Sequence, residues 1–127
     1  MSYKLYFNDG NKYKLNQLTQ VSDPKKVISN AQKYFNDPDI KVYLSPDKNK
    51  KYAIYNPYTK KLVSFGHIDY EDYTYHNNDE RRINYLKRAS NIHGNWYDDP
   101  YSPNNLAINL LWMQLFTTSI SIAHFNN

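Results

Sequence analysis

Lys50-Lys51-Tyr52-Ala53-Ile54-Tyr55-Asn56-Pro57-Tyr58-Thr59-Lys60-Lys61-Leu62-Val63-Ser64-Phe65-Gly66 is the stretch on which the fold turns. Tyr52 to Tyr55 is aromatic and apolar, as a strand requires. Asn56-Pro57-Tyr58-Thr59 has turn chemistry. Lys61 to Phe65 can then return as a partner strand, giving a β-hairpin. Upstream, Ile40, Val42 and Leu44 alternate with Lys41 and Tyr43, which predicts a third strand. The three strands read as an antiparallel β-meander.

Further upstream, Ser22-Asp23-Pro24 predicts a helix start. Ser22 or Asp23 can cap it, and Pro24 sits where a missing N–H costs nothing. Val27, Ala31 and Phe35, with Ile28 beside them, form one apolar stripe. Asp37-Pro38 is expected to stop the helix. Tyr3 to Phe7 reads as a strand. Asp9-Gly10 is a hairpin signal, with Lys12 to Leu15 as the returning strand.

Downstream, Gly66 to Asn77 is irregular, acidic and aromatic. Asn78 begins a helix with Asp79 and Glu80 in its first turn and Lys87 and Arg88 in its last, both favourable to the helix dipole. Ile83, Leu86 and Ala89 or Ser90 are its expected buried face, and Gly94 closes the next turn. Ser102-Pro103 caps another helix carrying Leu106, Ala107, Leu110, Leu111 and Trp112. Thr117 to Phe125 is β-branched and reads as a last strand. The expectation is an α+β fold, a small antiparallel β-meander with two to three packed helices. It forms a single domain over 1–127: hairpin plus helix at 1–39, a core at 40–112 and a tail at 113–127. Its 127 residues suit one hydrophobic core.

Composition narrows the function. No cysteine is present, which excludes disulfides, cysteine zinc sites and cysteine nucleophiles. The start, MSYKLYFNDG, lacks the apolar run of a secretory signal, so the chain is expected to be intracellular. Three glycines, at 10, 66 and 94, cannot write a phosphate-binding loop or dinucleotide fingerprint. Leu106 to Ala123 carries no charge over 18 residues. Asn109, Gln114 and Thr117-Thr118-Ser119 interrupt it, so a core helix and strand explain it better than a membrane contact.

The formal net charge of +4 is unevenly distributed: +5 over residues 41–61, −5 over 62–80 and +4 over 81–88. Alternating blocks suit several contact surfaces. Lys48, Lys50, Lys51, Lys60 and Lys61 could converge on one edge of the meander, with Lys41 a further candidate, and Arg81, Arg82, Lys87 and Arg88 could add a basic helix. These are the candidate polyanion- or partner-binding residues, with Tyr52, Tyr55 and Tyr58 as aromatic contacts. Lysine for phosphate and rings for bases is the logic of nucleic-acid binding. Lysines that keep a sheet edge from pairing are the simpler account. His67, Asp69, His76 and Asp79 could bind a metal or, with Asn95, form a nuclease site, but their spacing follows no ligand motif. Asp69, Glu71 and Asp72 are better read as an acidic loop neutralising Arg81 and Arg82. No catalytic residue, metal site or cofactor is expected.

From Lys50 onward, Phe65-Gly66, Tyr70 to His76, Arg81 to Arg88, Trp96 and Leu110 to Trp112 follow an ordered pattern. It is a lysine-rich hairpin, phenylalanine-glycine, a Y-x-D-Y/F-T-x-H box, an arginine-rich helix, a tryptophan and a closing L-L-W. The pattern resembles a family of small uncharacterised proteins of nucleocytoplasmic large DNA viruses (giant viruses) and their smaller relatives. The resemblance implies a non-enzymatic, virion-associated structural protein, a minor capsid or core component that assembles with other virion proteins. Viral DNA is a further possible partner, and membrane contact is not expected. The implied location is the virion, with host cytoplasm or viral factory during assembly. A basic DNA-binding or packaging protein and a metal-dependent nuclease are the alternatives. The order of elements in the first half is also similar to that of the archaeal methanogen chromosomal protein, a DNA-bending fold.

Overall fold

A computed structural model describes residues 5–6 and 12–113. Strand β1 (Leu5–Tyr6) leads to helix α1 (Lys12–Leu18) and helix α2 (Pro24–Tyr34). Strands β2 (Val42–Leu44), β3 (Lys50–Asn56) and β4 (Lys61–His67) follow. Then come helices α3 (Tyr73–His76), α4 (Asp79–Ser90) and α5 (Pro103–Ala107), the last running into a π-helical turn, Ile108–Trp112. The sheet order is β1-β2-β3-β4. The fold is α+β.

β2, β3 and β4 form the expected antiparallel meander, with Tyr52 opposite Phe65 and Ile54 opposite Val63. The sheet is nevertheless mixed, because β1 pairs parallel to β2. Parallel neighbours need a crossover connection, and α1 and α2 lie in it. Lys12 to Leu15 is therefore helix, not a returning strand. The segment KYKLNQL has no β-branched residue, and Leu18 is fully buried. Lys14 pins α1 to the β2–β3 turn, its Nζ donating to the carbonyls of Ser45 and Asp47 at 2.6 Å each. The hairpin on which the likeness to the methanogen chromosomal protein began is thus replaced by a crossover. Asp9-Gly10 and the strand expected at Thr117 to Phe125 lie outside the described residues.

Asp23 caps α2, its carboxylate accepting from Lys25 N–H at 3.1 Å, and Pro24 opens the helix. Val27, Ile28 and Ala31 are buried. Phe35 is half-buried at the helix end, stacked on Tyr101 at 5.2 Å. Asn36 turns the chain at φ 50°, before Asp37-Pro38. Asn78 caps α4 by accepting from Arg81 N–H. The buried side of α4 is Leu86 and Ala89, with Tyr85 partly buried beside them. Ile83 is 39% exposed. The helix is rotated so that Arg82, Tyr85, Leu86 and Ala89 turn inward, and Ile83 falls outside that stripe.

α5 is capped by Ser102, whose Oγ accepts from Asn105 N–H. Leu106, Ile108, Leu110 and Leu111 are buried in the same cluster as Tyr52, Phe65 and Leu86. Among the described residues no helix is long and apolar enough to cross a membrane. Asn30 Nδ2 donates to the Leu110 carbonyl at 2.8 Å, satisfying an acceptor of the π-helical turn.

β4 meets this turn at Gly66. Its φ is +80°, and a Cβ there would stand 2.7 Å from Leu111 Cδ1 and 3.3 Å from Lys51 Cδ. Only glycine combines that backbone with that approach. Gly66→Ala is expected to lower stability by about 1–3 kcal/mol, from positive-φ strain and crowding. Urea denaturation of the two proteins checks it, and an unchanged midpoint would remove Gly66 from this role.

A candidate anion-binding cleft

The functional geometry starts from a buried ion pair. Lys51 on β3 is 2% exposed, and its Nζ lies 3.1 Å from Asp72 Oδ2, which is fully buried. Asp72 caps α3, its Oδ1 accepting from Thr74 N–H at 3.0 Å and from the Thr74 hydroxyl. Tyr52 donates to Ser22 Oγ at 2.7 Å, and Ser22 Oγ stands 3.2 Å from Thr74 Oγ1. Because the serine accepts from the tyrosine, its single proton is free for the threonine, whose own proton goes to Asp72. The hydroxyl dipoles therefore run Tyr52, Ser22, Thr74, Asp72, all pointing toward the carboxylate. Burial lowers the Lys51 pKa, while Asp72 acts to raise it. The network joins β3, the α1–α2 junction and α3.

Lys51 and Tyr52 are thus interior groups and not surface contacts. Removing Lys51's charge would leave Asp72 buried without its cation. Lys51→Ala is expected to cost about 3–5 kcal/mol, and Lys51→Ala with Asp72→Ala less than the sum of the two singles. Chemical denaturation of all four proteins reads the coupling. Additive losses would mean that the pair does not act as a unit.

The other candidate cations do not share one edge. Lys60 and Lys61 lie at the β3–β4 turn, whereas Lys50 faces His67 at the opposite end of the hairpin. Six residues of strand separate the two ends by roughly 20 Å. Lys41 precedes β2 and lies over the Tyr6 ring at 5.3 Å. Tyr58, 85% exposed, and Tyr55 belong to the turn half of the hairpin. Lys48 is exposed in the β2–β3 turn.

Helix α4 divides its basic residues as well. Arg81, Asn84, Tyr85 and Arg88 are spaced i, i+3, i+4, i+7, so they form one face. Arg82 instead turns to the Tyr73 ring, 5.2 Å from its centroid. Its Nε and Nη1 are buried and have no hydrogen-bond partner among the described residues. Lys87 is exposed and stands off the shared face.

That face of α4 closes a cleft of about 690 Å³. The hairpin end supplies Lys50, Lys51, Phe65, Gly66 and His67. Tyr70 and Glu71 form the rim, and Ala107, Leu111 and Trp112 the apolar floor, with Pro103 and Asn104 beside it. Tyr85 stacks on Trp112 at 4.2 Å with planes 9° apart. The π-helical turn thus places Leu111 and Trp112 together under the opening.

Glu71, the acid that lines the cleft, and the buried Asp72 are both paired off. Glu71 accepts from Arg81 Nη1 at 2.9 Å, and Asp72 is held by Lys51. The acidic loop therefore neutralises Arg81 but not Arg82. Lys50 and Arg88 form no ion pair or side-chain hydrogen bond among the described residues, and the Asn84 amide and Tyr85 hydroxyl have no hydrogen-bond partner there either. Burial pushes the Tyr85 pKa up to about 12 although Arg88 pulls it down, so its hydroxyl remains a donor at neutral pH. Two cations, an amide and a phenol open toward one apolar-floored space. This is an arrangement for holding an anionic ligand.

The histidines go elsewhere. His67 accepts from Asp69 N–H at Nδ1 (3.2 Å) and lies 3.7 Å from the Asp69 carboxylate at the rim. His76 packs against Trp112 at 5.3 Å and Tyr73 at 6.0 Å. Asp79 accepts from the Tyr73 hydroxyl at 2.7 Å. Among the described residues no three His, Cys, Asp or Glu side chains are placed to hold one metal ion. The nuclease grouping of His67, Asp69 and His76 is therefore not assembled as a metal centre.

His76 has a different task. Its Nδ1 accepts from the N–H of Asn78, the cap of α4, at 2.9 Å, which requires that nitrogen unprotonated. Burial lowers its pKa below 6.5, helped by Arg81 and Lys51 and opposed by Asp72 and Glu71. Between that lowered value and 6.5 the unfolded chain binds a proton that the folded chain refuses. This group therefore favours the fold above pH 6.5 and loses that advantage as pH falls. His76→Asn is expected to flatten the pH dependence of stability just below 6.5. Denaturation at several pH values checks it, and an unaltered slope would contradict it.

Three cleft residues carried no sequence expectation, Asn84, Tyr85 and Asn104, and Tyr70 was marked only as the start of the aromatic-acidic box. The helical spacing of Arg81, Asn84, Tyr85 and Arg88 was the available signal. Asn104, whose Nδ2 donates to the Ala89 carbonyl at 3.0 Å, had none.

Residues 40–89 match the model of a family of unknown function, DUF5754. The match covers β2, β3, β4, α3 and all but the last residue of α4, including Lys51, Gly66, Asp72 and the cleft face of α4. It stops before α5 and the π-helical turn that floor the cleft. No curated protein and no solved structure matches the chain.

Proposed function

We propose that the chain is a non-enzymatic binding module whose cleft receives an anionic group. The observation that carries this reading is the set of polar groups left unpaired among the described residues, Lys50, Asn84, Tyr85 and Arg88, over a floor of Leu111 and Trp112. Cations without counter-charges attract an anion, and an apolar floor limits competing water. Glu71, the carboxylate that lines the cleft, is already engaged by Arg81, and the buried Asp72 by Lys51, which favours holding a ligand over acid–base work. In the virion setting that the sequence resemblance implies, such a module would serve as a small assembly component. A DNA-packaging role receives less support, because the lysines lie at both ends of the hairpin and Lys51 is interior.

The direct test maps pyrophosphate onto the full chain by amide chemical shifts. Saturable changes are expected near Lys50, Gly66, Asn84 and Arg88, and not at Lys60 and Lys61. Lys50→Glu with Arg88→Glu should abolish them, while Lys60→Glu with Lys61→Glu should leave them intact. Changes confined to the turn lysines, or none at low salt, would overturn the reading, since anion contacts are strongest there.

A further inference from the structure

The geometry points to a nucleoside phosphate as the cleft's ligand, with the phosphate on Lys50 and Arg88 and the base against the rim. This rests on the anion-binding reading above and narrows it. A simple anion needs the cations alone, yet the cleft offers more. Tyr70 is 68% exposed at the rim, and its ring lies 5.0 Å from that of His67. An exposed ring beside a cationic site is what a flat base stacks on.

Two side-chain amides flank the same space. Asn84 has no hydrogen-bond partner among the described residues. Asn104 spends its Nδ2 on Ala89 and keeps its carbonyl oxygen for a donor. Amides offer both donors and acceptors, which match the mixed edge of a nucleobase. A phenyl ring, as in phosphotyrosine, has no such edge and would leave the amides unused. The volume, about 690 Å³, lies in the range of small-ligand sites and exceeds the needs of a bare phosphate. Arg88 and Lys50 suit the phosphate because guanidinium and ammonium groups form short, charge-assisted bonds to its oxygens.

Calorimetric titration of the full chain with AMP, adenosine, inorganic phosphate and phenyl phosphate tests the assignment. AMP is expected to bind at least tenfold more tightly than each of the other three. Arg88→Ala should weaken AMP at least tenfold. Tyr70→Ala, at an exposed position, should weaken AMP severalfold and leave phosphate unchanged. AMP no tighter than phosphate would overturn the nucleoside assignment and leave the anion cleft standing. Phenyl phosphate equal to AMP would overturn it in favour of an aryl phosphate such as phosphotyrosine. No binding of any probe would overturn both readings. A 5′-phosphorylated trinucleotide separates two sources of the same chemistry: AMP-like affinity indicates a strand terminus, and at least tenfold weaker binding indicates a free nucleotide. Either result supports the assignment when AMP itself binds as expected.

Discussion

The Lys51–Asp72 pair is the constraint on which the rest of the structure depends. A lysine and an aspartate at 2% and 0% exposure lose their water on folding. That loss is tolerable only when each has its partner and the remaining oxygens are satisfied. Asp72 obtains this from Thr74, and Thr74 is linked in turn to Ser22 and Tyr52. The pair therefore fixes where the acidic loop crosses the sheet. Once Asp72 is placed, Glu71 reaches Arg81 and α3 is capped. The chain then turns through Asn77, at φ 54°, to the start of α4.

The cleft follows from that placement. α4 enters at a set angle because Asn78 is held by the His76 ring and itself caps the helix. Its face of Arg81, Asn84, Tyr85 and Arg88 then looks across at the end of the hairpin. Gly66 lets β4 approach Leu111 closely enough to bring the π-helical turn under the opening. A π-helical turn is uncommon and often accompanies functional sites. Here it places Leu111 and Trp112 in the same floor.

Much of the fold was legible because its signals are local. Asp23-Pro24, Asn78 and Ser102-Pro103 mark helix starts by capping chemistry, and each cap is observed. The β3–β4 hairpin follows from its turn residues. Lys12 to Leu15 misled because Asp9-Gly10 suggested a return strand, whereas α1 is held by long-range contacts of Leu18 and Lys14. Lys51 was indistinguishable in sequence from Lys50, since only the position of Asp72, 21 residues away, separates them. The same holds for Tyr52, taken as a surface ring until Ser22 claims its hydroxyl. The grouping of cations failed for a geometric reason: a hairpin puts residues adjacent to its turn far from those at its open end.

Lys50 and Arg88, unpaired among the described residues, are proposed to serve an anionic ligand. Thermal unfolding of the full chain with and without excess pyrophosphate tests it most directly, beside the Lys50→Glu, Arg88→Glu double variant. A ligand that binds only the native state raises its unfolding temperature by mass action. A clear rise is expected for the natural chain and none beyond the general salt effect for the variant. An equal rise in both would place the anion elsewhere and contradict it.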